Sequence, residues 1–294
     1  MEPGGLPLRF GVNVRRAGSR REFVAFVGRA EELGYDVLAT PDHLGGMSPF
    51  AALAAAAVTT DRLRLRTYVL NIGFWNPALL AREVRTLDML SEGRVELGLG
   101  AGHMKSEHDE AGLPWRPLPE RVEQLEQMVV DVRPRLPDSV PLVIGAMSRQ
   151  GLALAARHAD VVAFAGLRQV TGAPPGTFTL CSAAETADRV DHVRRQAGGR
   201  RYRSDVLLQK VVIDRDPEEA AAEIVAGAPG LTVEQVLDTP FALFARDASE
   251  AATELRRRHD VYGFDGVTTH QSEMDGLAGV MAAYRTSPTK GCRG

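Results

Sequence analysis

Three successive apolar runs in this chain stop on residues fit for chemistry, and a segment with helical spacing follows each. Tyr35 to Ala39 leads into Asp42-His43. Leu63 to Leu70 leads into Asn71. Val95 to Leu99 leads into Gly100-Ala101-Gly102, with Glu107 just beyond. Short apolar runs of this kind read as strands buried on both faces, the pattern of a parallel sheet. Reactive residues at the ends of successive strands, in a chain that alternates strand with helix, predict a closed parallel α/β barrel with its site at the C-terminal mouth.

The rest of the chain keeps the alternation. Phe10 to Val14 is a strand, and Glu22 to Leu33 is a helix with Phe23, Phe26, Val27, Ala30 and Leu33 on one face and Gly34 as its C-cap. Ser48-Pro49 opens a helix to Val58, and Pro77 opens one to Leu90. Pro119 to Val132 is helical, Pro141 to Ile144 a strand, Gln150 to His158 a helix and Asp160 to Phe164 a strand. Gly166 to Thr179, rich in glycine and proline, reads as a loop. Ala184 to Gln196 is helical, Val206 to Ile213 a strand, and Asp216-Pro217-Glu218-Glu219 a helix start. Helices near Val233 and Ala248 precede the last strand, Gly266 to His270. Residues 1–286 form one domain in this reading, and the polar tail 287–294 is expected to be disordered.

The 294 residues are 44% hydrophobic, enough for the core of a single barrel of roughly 250 residues. A net charge of −3 offers no basic field for nucleic acid or an anionic membrane. Cys181 and Cys292 are far apart, and Met1 to Pro7 lacks the charged start and apolar run of a secretory signal. No segment approaches the ~20 apolar residues of a membrane span. A cytoplasmic protein acting on a small molecule is the expectation.

Individual residues carry two readings each. His43, at a strand end, is either a proton-transfer group or a polar loop residue. Gly98-Leu99-Gly100-Ala101-Gly102 lacks the last glycine of a dinucleotide fingerprint. Its glycines admit either close approach of a flat ligand to bare backbone or a tight turn out of a crowded strand. His103, Ser106, Glu107 and His108 follow at spacings that make a poor metal set, so no metal is expected; a solvated helix start fits Lys105, His108, Asp109 and Glu110. Gly145-Ala146-Met147-Ser148-Arg149 opens a helix, where Ser148 and Arg149 serve either an anion or a simple cap. Phe74, Trp75 and Trp115 fit either a substrate pocket or the core.

From Arg9 to about His270 the chain resembles the luciferase-like monooxygenase superfamily, and within it the coenzyme F420-dependent branch. The resemblance is strongest over Asn76 to Glu83 and Leu87 to Gly102. Gly34-Tyr35-Asp36 with Pro41-Asp42-His43 and the run Ala155 to Asp160 add to it. It implies a TIM (β/α)8 barrel with a deazaflavin across its C-terminal mouth. It further implies His43 and Glu107 as the catalytic pair, with Asp42, Asn71, Ala101, Gly102 and Ser106 at the cofactor. Tyr68 and Val69 would back the cofactor through a non-proline cis peptide, and Gly145, Ser148 and Arg149 would lie at its phosphate. Phe74, Trp75 and His103 would border the substrate, in an enzyme that is often a homodimer. The acid that follows the glycines in the sugar-phosphate dehydrogenase branch is His103 here, which argues against that substrate. Two departures stand out: the consecutive glycines at the phosphate are replaced by Gly145-Ala146-Met147-Ser148, and the insertion before the Pro141 strand is shortened to Arg133 to Val140. The expected activity is hydride transfer between F420 and an unsaturated carbon or imine. FMN-dependent oxygenation, or a non-catalytic ligand-binding barrel, are the alternatives.

Overall fold

A computed structural model describes residues 7–170, 172–173, 176–226 and 231–286. In chain order the first half contains β1 (Arg9–Asn13), α1 (Arg20–Glu32), β2 (Val37–Thr40), α2 (Pro49–Ala57), β3 (Arg64–Thr67), β4 (Leu70–Asn71), α3 (Pro77–Leu90), β5 (Val95–Gly100), α4 (Lys105–Glu110), α5 (Leu118–Val132), β6 (Leu142–Ala146) and α6 (Arg149–His158). The second half contains β7 (Val161–Phe164), β8 (Leu167–Gln169), β9 (Phe178–Leu180), α7 (Ala183–Ala197), β10 (Arg203–Leu208), β11 (Lys210–Ile213), α8 (Pro217–Ala226), α9 (Val233–Asp238), β12 (Ala242–Ala245), α10 (Ala248–Tyr262), β13 (Gly266–His270) and α11 (Met274–Thr286).

The strands run β3-β2-β1-β13-β10-β7-β6-β5-β4, and β3 also pairs with β5, so the sheet closes. Every pairing around the ring is parallel. β3 and β4 are two pieces of one stave, which makes this an eight-stave TIM barrel. Local signals agree with it. The Asn76 side chain accepts from Ala78 and Leu79 N–H, Pro77 sits at the first helical position, and α3 buries Leu80, Ala81, Val84 and Leu87 toward the strands. Ser182 and Glu185 form a capping box on α7, and Gly198 ends it at φ +56°.

Three expectations from sequence change. The run 63–70 is not one strand: Arg66 pairs Glu96, but Leu70 pairs Leu99, so Thr67-Tyr68-Val69 oppose only Leu97-Gly98. This is a bulge, and its Tyr68–Val69 peptide is cis, at the bond the resemblance implied. The Thr67 hydroxyl donates to the Gly98 carbonyl at 2.9 Å and accepts from Gly98 N–H at 2.8 Å, replacing the interrupted ladder. The run 206–213 also splits. β10 stays in the barrel, while β11 leaves it to pair in parallel with β12, a strand the sequence reading lacks. Residues 166–179 are not all loop: β8 and β9 form an antiparallel hairpin. The tail 287–294 lies outside the described residues.

The barrel interior holds an ionic cluster in place of an apolar layer. Arg66 donates from Nε to Glu96 Oε2 and from its NH1 nitrogen to Asp205 Oδ2, both at 2.8 Å. Arg9 and Arg64 hold the other Glu96 oxygen at 2.7 and 2.5 Å. Tyr68 and Thr268 hydroxyls donate to Asp205 Oδ1 at 2.7 and 2.9 Å. Burial by itself raises the Glu96 pKa, but Arg66, Arg9 and Arg64 overcome it and hold the carboxyl well below the usual range. Beside this cluster Ala39, Tyr68, Val143, Val161 and Ala163 form a small apolar group apart from the main core, with Val69 and Leu207 packed against it.

Candidate active site

The loops that leave β2, β4 and β5 meet at the C-terminal mouth. His43 follows β2, and its Nδ1 lies 2.8 Å from Oε1 of Glu107, carried by α4. The carboxylate orients the ring with Nδ1–H toward it, and Nε2 makes no hydrogen bond among the described residues. An imidazole with one nitrogen fixed by a carboxylate and the other free is a proton-transfer group already held in one orientation. Both side chains are only slightly exposed, 21% for His43 and 12% for Glu107, so the pair sits in the wall and still opens to the mouth.

Asp42 is turned differently. Its Oδ2 accepts from Trp75 Nε1 at 2.8 Å and from Asn71 N at 3.2 Å. Burial raises its pKa, and those two bonds work against the rise. Trp75, expected beside the substrate, therefore serves to tie Asp42, and its ring packs edge-on against Phe50 with centroids 5.2 Å apart. Asn71 caps the short turn after β4 by accepting from Gly73 N at 3.1 Å, and its Nδ2 donates to His108 Nε2 at 3.0 Å. The other His108 nitrogen donates to the Pro114 carbonyl at 3.1 Å. Phe74 and Trp115 flank that ring, at 5.4 and 5.0 Å. His108 is thus buried at the hub of the loop, and the solvated helix start expected for it is corrected; Lys105 and Asp109 do form the exposed i, i+4 pair.

The glycine cluster resolves toward crowding. A Cβ on Gly98 would lie 1.9 Å from the Thr67 carbonyl oxygen, and one on Gly100 2.6 Å from Val69 Cγ2. On Gly145 it would lie 3.1 Å from Val69 Cγ1. These glycines make room for the bulge of β3, not for a nucleotide. Gly102, at φ +75°, faces Asn71, where a Cβ would sit 2.5 Å from Oδ1. The result is a small apolar surface: Val69, half-buried, lies over the bare backbone of Gly98, Gly100 and Gly145. Arg121 of α5 holds the carbonyls of Ala101 (3.1 Å) and Gly102 while its guanidinium lies 3.9 Å from the Trp115 ring centroid. Arg121 was legible only as the basic residue on a stripe, Leu118, Arg121, Val122 and Leu125, that is otherwise apolar.

Other expected contacts go elsewhere. Ser148 is a simple cap, its Oγ accepting from Gly151 N at 3.1 Å. Arg149 is exposed and committed to α7, 2.5 Å from Asp188 and 3.2 Å from His192 Nδ1. An anion reaching this corner meets an arginine already paired. Ser106 is exposed on α4. His103 does join the mouth: its ring is edge-on to His43 at 5.3 Å and to Phe178 of β9 at 5.7 Å. The hairpin thus reaches the mouth through Phe178, whereas the shortened segment Arg133 to Val140 joins α5 to the start of β6 at the opposite face of the barrel.

Burial, reinforced by His43 and Arg121 and opposed by Glu107, pushes the His103 pKa down from 6.5 to about 4. The unfolded chain therefore binds more protons than the folded one between those two values. Stability from this group is complete above pH 6.5 and declines as pH falls toward 4. His103→Phe is expected to lose less stability than wild type between pH 7 and pH 4, by up to about 3 kcal/mol. Denaturant melts at the two pH values check this, and equal acid sensitivity in both proteins would refute it.

Comparison with known proteins places this geometry. The family model described as luciferase-like monooxygenase matches residues 6–276. An F420-dependent glucose-6-phosphate dehydrogenase of Kribbella flavida is 36% identical over 122 residues, 38% of this chain and 36% of that protein; the match thus spans about a third of that relative's length. One from Microbacterium testaceum is 29% identical over 268 residues, covering 78% of this chain and 76% of that one. An F420-dependent secondary alcohol dehydrogenase, solved with an F420-acetone adduct, superposes with a TM-score of 0.75 at 17% identity, over 95% of this chain and 100% of that one. Among the described residues no helix is long and apolar enough to cross a membrane.

Proposed function

The chain belongs to the luciferase-like monooxygenase family, and on that premise we propose that it is an F420-dependent oxidoreductase acting on an unsaturated carbon or imine of a small organic substrate, or on the reduced counterpart. The observation that carries the proposal is His43, fixed by Glu107 at Nδ1 and without a partner at Nε2 among the described residues, at the rim of a mouth where Val69 lies over the bare backbone of Gly100 and Gly145. The names of the relatives support the choice of cofactor.

The residues fit such a ring. Val69 offers an apolar surface of the right character for its face, and Ala101 and Gly102 are held at the edge by Arg121. When bound, F420 supplies the carbon that gives or takes hydride. The chain does the rest. His43 Nε2 gives the proton that completes reduction of the substrate, or accepts it in the reverse direction, while Glu107 keeps the ring from turning. Asp42, fixed by Trp75 and Asn71, borders the same rim. His103 stays neutral above pH 5 or so and adds no positive charge beside His43. Phe178 and His103 border the substrate on the hairpin side.

The test is a fluorescence titration of the purified protein with F420 and, separately, with FMN. Saturable binding of F420 without FMN is expected. Tight binding of FMN alone would move the protein to the oxygenase chemistry of its family, and binding of neither would leave a ligand-binding barrel of another kind.

A further inference from the structure

Asn13 ends β1 at the mouth. The residue is 6% exposed, and its Oδ1 is fully buried with no hydrogen-bond partner among the described residues. Its Nδ2 donates no hydrogen bond among the described residues either. A buried amide oxygen with nothing to accept costs about 1–3 kcal/mol, so native proteins rarely leave one idle.

Direction follows from the strand alternation. Two residues earlier on the same face, a Cβ on Gly11 would lie 2.6 Å from Thr268 Oγ1, and Thr268 belongs to the ionic cluster inside the barrel. Asn13 therefore points inward as well, one step nearer the opening. Neither of its in-register neighbours hydrogen-bonds it. In register it faces Ala39 on β2, which is apolar, and His270 on β13. His270 bonds Gln209 Oε1 through Nε2 at 3.1 Å, and Gln209 in turn donates to the Ala165 carbonyl. The strand order puts β1 beside β2, which leads to His43, and around the ring from the Val69 wall.

We infer that Asn13 is a ligand-binding residue that holds the pyrimidinedione edge of a flavin-type ring. A carboxamide presents one acceptor and one donor side by side. The edge it matches presents an N–H flanked by a carbonyl, so two parallel hydrogen bonds form, in the manner of other amide–heterocycle pairs. F420 and FMN share this edge. The inference rests on the proposed reading of the mouth as a flavin-type site, and does not depend on which of the two rings occupies it.

The experiment is a fluorescence titration of wild type, Asn13→Leu and Asn13→Asp with F420 and with FMN, together with the thermal midpoint of each protein free of ligand. Asn13→Leu keeps the branching, adds some volume and removes both polar ends; Asn13→Asp keeps the shape and removes the N–H. Each is expected to bind the ring at least tenfold more weakly, with the Asn13→Leu midpoint unchanged or raised because an unpaired amide has been removed. The N3-methylated form of the same ring should bind wild type at least tenfold more weakly than its parent, and Asn13→Leu equally well. Unchanged affinity in both variants, or equal sensitivity to N3-methylation in wild type and Asn13→Leu, overturns the inference and leaves Asn13 to a buried water. Wild type that binds FMN alone overturns the choice of F420 but not this assignment, which is then read with FMN. Wild type that binds neither overturns both.

Discussion

His43→Ala is expected to lower turnover by about 10²–10⁴-fold while F420 affinity stays within about threefold of wild type. The size follows from what the ring does. Its Nε2 is the free nitrogen of a pair already oriented by Glu107 at 2.8 Å, so the truncation removes a positioned proton donor and leaves Val69, Ala101 and Gly102 in place. Added imidazole should restore part of the rate in His43→Ala, because the space of the missing ring opens to the mouth. Glu107→Gln separates chemistry from orientation. The amide oxygen can still accept from Nδ1–H, but the charge is gone, so a smaller loss, about tenfold, is expected in kcat with KM for the cofactor unchanged. The measurements are steady-state rates on a substrate found by screening and, in parallel, cofactor titrations. Full turnover in His43→Ala would end the assignment; loss of cofactor affinity together with rate would recast His43 as a binding group.

The barrel and its mouth were legible because they depend on local signals. Pro77 marks where α3 begins and Gly34 where α1 ends, each within a four-residue window. Asp42-His43 and Glu107 stood out as polar residues directly after buried strands. What was not legible depends on partners far along the chain. Gly98 and Gly100 suggested a ligand, yet the atoms that forbid a side chain there are Thr67 and Val69, whose approach exists only because β3 carries an extra residue relative to β5. Ser148-Arg149 had the chemistry of an anion site, but Asp188 and His192 on α7 reach Arg149 first. His108 looked solvated on the short helix α4 and is buried by Asn71, Phe74 and Trp115, residues from two other segments. Asn13 gave no signal at all, since a polar residue at a strand end is ordinary; its significance is the absence of a partner, and that is a property of the folded state.

The same distance effect conceals the residue whose loss should cost the most stability. Arg66 alternates with Leu65 in a strand and looks like one more charged position, but it is 1% exposed and bridges Glu96 and Asp205, which are 30 and 139 residues away. Arg66→Met is expected to destabilise the protein by about 3–5 kcal/mol, the usual result of removing one partner from a buried ion cluster. Glu96 keeps Arg9 and Arg64, but Asp205 would retain only the hydroxyls of Tyr68 and Thr268 against its charge. Arg66→Lys should fare little better, because one ammonium cannot reproduce the fork that reaches both carboxylates. Tyr68→Phe removes a single hydroxyl and leaves Thr268 on Asp205, so about 1 kcal/mol is expected. Acid adds a second reading. The Glu96 pKa is depressed in the fold, so its contribution is complete above its unfolded value near 4.5 and disappears only as pH falls toward the folded value. Wild type should therefore keep this part of its stability at pH 5, and Arg66→Met, with only Arg9 and Arg64 set against burial, should keep less of it. Urea melts of the three variants at pH 7 and pH 5 decide the matter: a cost below about 1 kcal/mol for Arg66→Met would mean that water reaches the cluster and screens it. The consequence extends to the mouth, because Tyr68 is both a ligand of Asp205 and the first residue of the bond that presents Val69. A variant that folds with the cluster broken should also bind the ring more weakly, through loss of the wall and not of any group that touches it.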